Sequence, residues 1–171
     1  MIRYDLFYQI MRCFVNILTI TIDYCKYKDG IQMYDFAISY CANNIEFVQQ
    51  VVDELKRRNF KVFFDRYDYD RLVCTFLHEE LYNIFTYESK RAVLFISNEY
   101  LTRPHPMWEA RSAVAESVFR HDYLLVVLCD NVDIEKISKE LCINRNYLYI
   151  KQSDHTPQSL VNLLIEKSHD L

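Results

Sequence analysis

Reactive side chains matter only at spacings that chemistry can use, and this chain offers a short set of candidates. His78-Glu79-Glu80 lies in a helical pattern and begins like a zinc-protease motif. The second histidine one turn further on is missing, so the metal-hydrolase reading fails. Asp65, Asp68 and Asp70 cluster as calcium-loop ligands do, yet the glycine of the sharp turn and the closing glutamate are absent, which leaves a solvated acidic loop. The six cysteines (Cys13, Cys25, Cys41, Cys74, Cys129 and Cys142) include no CxxC and no Cys/His pair at zinc-ligand spacing. None sits in a nucleophile elbow. Cys41 and Cys129, at the ends of apolar runs, read as small core residues. Gly30 is the single glycine. Phosphate-cradling loops of the GxGxxG and GxxxxGK[ST] types are therefore excluded, and any nucleotide must be held by another geometry. Glu109 remains. It falls in the predicted first turn of a helix entered at Pro106, where a carboxylate offsets the positive end of the helix dipole. Spacing alone leaves that reading and a catalytic one both standing.

The elements that must position these residues follow from hydrophobic period. A chain of 171 residues with 51% hydrophobic and 15% aromatic content can bury one core without disulfides or metal. Residues 34–40, 61–64, 92–97, 123–128 and 147–150 read as strands. The run 92–96 is apolar throughout, as a strand covered on both faces should be. Helical spacing appears over 44–58, 74–87, 106–119, 134–141 and 159–167, with Asn43 or Asn44 as the first N-cap. Strand and helix alternate five times, which predicts a flavodoxin-like, doubly wound, five-stranded parallel α/β sheet with helices on both faces. Ligands in such sheets lie beyond the carboxyl ends of the strands, which singles out residues 40–44, 65–73, 97–106 and 129–133.

Residues 1–33 fall outside that alternation. They are read as an N-terminal extension, with a helix over 4–15 and a strand near 18–24, or as the product of a translation start assigned too far upstream. No basic–apolar–small leader order is evident, and the apolar run 13–22 is half the length a membrane span needs, so a cytoplasmic location is expected. The net charge of −4 gives a broad nucleic-acid face no support. Lys56-Arg57-Arg58 closes a helix, where cations complement the carbonyl end.

Four blocks in order resemble the TIR domain family. Tyr34-Asp35-Phe36-Ala37-Ile38-Ser39-Tyr40 is similar to the family's first strand, YD(V/F)x(I/L)S(Y/F), and Val62-Phe63-Phe64-Asp65 to its second. Val93-Leu94-Phe95-Ile96-Ser97-Asn98-Glu99-Tyr100 resembles the third strand and its exit. Pro106-Met107-Trp108-Glu109-Ala110-Arg111-Ser112-Ala113 resembles the start of the third helix with its glutamate. The resemblance covers about residues 34–150, implies a TIR domain over 34–171, and is nearest the bacterial members, several of which cleave NAD.

The resemblance implies that Glu109 is the catalytic residue of an NAD glycohydrolase or ADP-ribosyl cyclase. A carboxylate near the nicotinamide ribose stabilises the oxocarbenium-like transition state. Capture by water then gives ADP-ribose, and capture by a nucleophile within the ligand gives a cyclic product. Substrate contacts are implied at Ser39, Tyr40, Asp65, Arg66, Tyr67 and His105. For Ser39 and Tyr40 a core-and-turn role is the other reading, for Arg66 an exposed cation without a ligand. His105 stands where many bacterial members carry tryptophan, and Cys41-Ala42-Asn43-Asn44-Ile45 and Cys74-Thr75 also depart from the family's loop residues. Trp108 diverges from Glu109 by about 100° on a helix and so is expected to pack. NAD is expected as substrate, with no cofactor and no metal. Self-assembly through TIR–TIR contacts, an effector or activator protein, and a role in antiphage defence or signalling complete the expectation, with no nucleic-acid or membrane partner. The rival is a non-catalytic module that works by homotypic contact through the 65–73 loop.

Overall fold

The computed structural model describes residues 34–68, 72, 76–144 and 146–169. The expectations for residues 1–33 and for Cys74-Thr75 lie outside the described residues, as does most of the 69–75 stretch.

Strands β1 (Tyr34–Ser39), β2 (Val62–Phe63), β3 (Ser89–Ile96), β4 (Leu124–Leu128) and β5 (Ile150–Lys151) form one sheet in the order β2-β1-β3-β4-β5. Every pairing is parallel, with Ala37 opposite Phe63 and Ala92, Val93 opposite Leu125, and Val127 opposite Ile150. Helices α1 (Ile45–Arg57), α2 (Leu77–Asn83), α3 (Pro104–Ser117), α4 (Ile134–Leu141) and α5 (Pro157–His169) connect and cover the strands. The doubly wound sheet read from the alternation is the fold observed.

Strand period sorts the core into two layers. Val93 and Phe95 pack with Val48, Val51 and Leu55 of α1 and Leu160, Val161 and Leu164 of α5. Ala92, Leu94 and Ile96 pack on the other side with Leu81 of α2, Met107, Ala110 and Ala113 of α3, and Ile137 of α4. Ala37 joins this second layer. Ser39, two residues on, shares its face and meets α3 at the carboxyl end of the sheet.

The differences from the expected boundaries have local causes. Strand β3 begins at Ser89 rather than 92, because its polar start is satisfied from elsewhere. Arg120 donates to the carbonyls of Ser89 (3.0 Å) and Lys90 (2.8 Å), Lys90 pairs with Asp35 at 2.7 Å, and Arg91 donates to the Asp122 carbonyl. The second helix ends in a π-helical turn, Ile84–Glu88, that feeds straight into β3. Strand β5 pairs only over Ile150–Lys151, since the preceding turn, with the Asn146 N–H on Asn144 Oδ1, brings the chain to β4 late. Asn44 does precede α1, but its side chain makes no capping bond because a 3₁₀ turn, Ala42–Asn44, already leads into the helix.

Arg57 and Arg58 both bond Glu54, at 2.7 Å each, and hold its carboxyl down to about 2. Lys56 lies 4.3 Å above the Tyr67 ring. The basic cluster is thus engaged within the fold. No helix among the described residues is long and apolar enough to cross a membrane.

With so little glycine, left-handed backbone among the described residues falls to Asn59 (φ 67°), Asp122 (φ 62°) and Cys142 (φ 58°). A cysteine there bears a Cβ clash worth roughly 1 kcal/mol. Cys142→Gly, at the C-cap of α4, is therefore expected to stabilise the domain by about 1 kcal/mol in urea unfolding, less the entropy glycine adds to the unfolded chain. An unchanged or lower midpoint would show the strain to be relieved elsewhere.

Candidate active site

Helix α3 opens at Pro104, with a second proline at 106, both where a missing N–H is harmless. The start is two residues earlier than expected, which moves Glu109 out of the first turn; that turn holds no acidic residue. The dipole benefit fades beyond one turn, so helix-end electrostatics does not account for Glu109.

The Glu109 side chain turns toward the end of β1. Ser39, fully buried, is hydrogen-bonded through its Oγ to Glu109 Oε2 at 2.5 Å. The Tyr100 hydroxyl lies 2.6 Å from Ser39 Oγ and donates to the Pro106 carbonyl at 2.9 Å. Tyr100 is held by the turn that leaves β3, where its N–H donates to Ser97 Oγ at 3.1 Å. Three strand or helix ends are thus tied together around one carboxyl.

A cavity of about 310 Å³ opens here, lined by Ile38, Tyr40, Asp65, Leu72, Leu77, Leu81, His105, Pro106 and Glu109. That volume lies at the low end of ligand pockets. A second hollow of about 440 Å³ shares the Tyr40–His105–Pro106 wall and adds Glu99 and Arg103, which pair with each other. Burial pushes the Glu109 carboxyl up to about 8; the Ser39 hydrogen bond opposes this and the Asp65 charge adds to it. Tyr40 donates to Asp65 Oδ1 at 2.8 Å, and burial together with that carboxylate drives its hydroxyl far above the phenol range.

The structure brings Glu109, Tyr40, Asp65 and His105 to one cavity, with Ser39 directly behind Glu109. Arg66 and Tyr67 point elsewhere. Arg66 donates to Gln49 Oε1 at 2.9 Å and Tyr67 to Asp53 Oδ1 at 2.7 Å, so both engage α1 and neither lines the cavity. His105 is exposed and stacks on Trp108, with centroids 5.6 Å apart and planes at 15°. Trp108 packs against His78 at 3.5 Å and leaves the cavity wall to its neighbours. Asp68 serves a turn, accepting the Phe64 N–H at 2.9 Å. Two contributions escaped the sequence reading. Tyr100 belonged to the quoted third-strand block without a role, and the apolar wall of Leu77 and Leu81 was seen only as a helix face.

The sequence profile of the TIR domain matches residues 36–164. The 3' cyclic ADP-D-ribose synthase AaTIR of Aquimarina amphilecti is 28% identical over 144 residues, which is 82% of this chain and 41% of that protein. Among solved structures, the metazoan TIR-STING receptor from C. gigas aligns with a TM-score of 0.60 at 22% identity, covering 81% of this chain and 41% of that one. The same receptor in complex with 2',3'-cGAMP gives 0.61 at 21%, covering 80% and 39%. Likeness at that identity concerns the fold. The chain spans about two fifths of the length of these relatives.

Proposed function

The chain belongs to the TIR domain family, and from that premise we propose that it cleaves the nicotinamide–ribose bond of NAD, with Glu109 as the catalytic residue. The supporting observation is a carboxyl held by Ser39 in a cavity at the carboxyl end of a parallel sheet, where α/β ligands bind. Cleavage leaves positive charge shared between the ribose ring oxygen and its anomeric carbon. A carboxylate beside that charge, inside a cavity walled by Leu77 and Leu81, acts through a lower dielectric than water offers. Tyr40 and His105 supply flat faces for stacking at the mouth, and Asp65 a second acceptor for ribose hydroxyls.

The likeness to a 3' cyclic ADP-D-ribose synthase supports a cyclic ADP-ribose as product, with ADP-ribose as the outcome when water captures the ribose first. We place the activity in the cytoplasm, in antiphage defence or signalling, with self-association through TIR–TIR contacts. NAD enters as substrate and no cofactor is required.

The test is nicotinamide release from NAD by concentrated protein, with mass spectrometry of the second product. Glu109→Ala is expected to lower release by ~100-fold or more, the scale of losing one well-placed electrostatic group. Undiminished turnover in a folded Glu109→Ala protein, or none in the wild type at high concentration and under crowding, would overturn the reading.

A further inference from the structure

The oxygens around Glu109 pose a question of proton count. Three contacts run in series: Glu109 Oε2 to Ser39 Oγ at 2.5 Å, Ser39 Oγ to Tyr100 Oη at 2.6 Å, and Tyr100 Oη to the Pro106 carbonyl at 2.9 Å. Each needs one hydrogen between its two oxygens. Ser39 and Tyr100 carry one hydroxyl proton apiece, and the Pro106 carbonyl carries none. With Glu109 ionised, two protons must serve three contacts. If Ser39 donates to Glu109 and Tyr100 to Pro106, the 2.6 Å approach between the hydroxyls sets lone pair against lone pair. If Tyr100 turns to Ser39, the Pro106 carbonyl is left facing a bare oxygen. A third proton removes the conflict, and Glu109 is the one member able to bring it.

We propose that Glu109 stands in the unliganded protein as a neutral carboxylic acid, first donor of a chain that passes through Ser39 and Tyr100 to the Pro106 carbonyl. In that arrangement Glu109 donates to Ser39, Ser39 to Tyr100 and Tyr100 to Pro106, and every oxygen pair has its hydrogen. Ser39 and Tyr100 are then positioning residues that fix both the orientation and the protonation of Glu109.

The surroundings agree. Ser39 is 0% exposed and Tyr100 is 0% exposed, so water cannot readily supply or accept the missing proton between them. Burial holds the Tyr100 hydroxyl proton firmly in place. The charged group that acts on Glu109 is Asp65, beyond β2, and it disfavours a second negative charge. From β1, Tyr40 donates to Asp65. Cys41 and Cys129, from the ends of β1 and β4, act on Tyr100. The nearby cations are engaged elsewhere: Arg103 pairs with Glu99 and Arg66 bonds Gln49. His105 on α3 stacks on Trp108, and His78 on α2 packs against the same ring at a tilt.

The resting protonation does not depend on NAD cleavage; only its use in catalysis rests on that reading. The test therefore contains no NAD. Infrared difference spectra of the full chain, wild type minus Glu109→Gln, are recorded with ¹³C-labelled glutamate between pH 5 and 10. A protonated-carboxyl band is expected at pH 6, converting to carboxylate with a midpoint near about 8. In Tyr100→Phe the Ser39 hydroxyl loses its other partner and becomes free to donate to the Glu109 carboxylate. The midpoint should fall by at least one pH unit, a tenfold change in the acid-to-carboxylate ratio. A carboxylate band already present at pH 6 in the wild type would overturn the proposal. So would an unmoved midpoint in a Tyr100→Phe protein whose circular dichroism matches the wild type. Should Tyr100→Phe fail to fold, the wild-type band decides alone. Nicotinamide release, measured separately, keeps failure here distinct from failure of the NAD reading.

Discussion

Glu109→Gln is expected to abolish NAD cleavage and, above pH 8, to make the domain more stable than the wild type. The two effects share one cause. In the unfolded chain the glutamate loses its proton near 4.5, whereas in the fold burial holds the carboxyl up to about 8. Below 4.5 both states keep the proton and the side chain contributes no pH dependence. Between the two values the folded state binds a proton that the unfolded state has released, so stability falls as pH rises. Above 8 both are ionised and the desolvation penalty remains, on the order of 5 kcal/mol for a shift of this size. Glutamine keeps the shape and a hydrogen bond to Ser39 while never bearing charge. Thermal unfolding of the two proteins should therefore coincide near pH 4.5 and diverge upward, with the variant melting several degrees higher at pH 9. Equal melting curves across that range would mean the carboxyl is solvated.

The catalytic consequence has the same sign. A carboxylate is the form that stabilises a developing cation, so kcat/KM, which reports the free enzyme, should rise with pH through about 8. On the proposed reading, bound NAD would bring its positive nicotinamide ring against Glu109 and favour ionisation, so the limb in kcat should lie lower. A group that is neutral at rest and charged in the transition state interacts more strongly with the transition state than with the empty cavity's surroundings.

What the sequence revealed depended on how local the cause was. Residues 92–96 announced a covered strand because every side chain there is apolar, and all of them are buried. The head of β3 was silent because its support comes from Arg120, Asp122 and Asp35, each distant in sequence. Two prolines two residues apart, at 104 and 106, fit a first turn equally well, and that ambiguity hid Glu109's true place in the helix. Arg66 and Tyr67 were placed in the correct loop, but their direction is set by Gln49 and Asp53 on α1, whose facing side no periodicity reveals. Tyr100 is the clearest instance. Its hydroxyl matters because it meets Ser39, which stands 61 residues earlier, and only the order β2-β1-β3 makes those two strand ends neighbours.

A neutral Glu109 also changes what is required of Asp65. With one carboxyl protonated, the standing negative charge facing the cavity is that of Asp65, whose Oδ1 accepts the Tyr40 hydroxyl at 2.8 Å. Burial raises the proton affinity of Glu109, and the two carboxyls of the cavity can then divide the work, Glu109 exchanging a proton beside the Asp65 charge. Asp65→Asn removes the charge and keeps the side chain's size and its acceptor oxygen for Tyr40. Loss of a fixed negative charge near the developing oxocarbenium should lower kcat by ~10–100-fold. The same substitution removes the repulsion that helps keep Glu109 protonated, so the rising limb of kcat/KM should move to lower pH. The two shifts run in opposite directions, slower turnover at every pH but an earlier rise, and a merely structural aspartate would not produce both. A pH profile of Asp65→Asn with unchanged midpoint and undiminished kcat would confine Asp65 to holding Tyr40 and the loop.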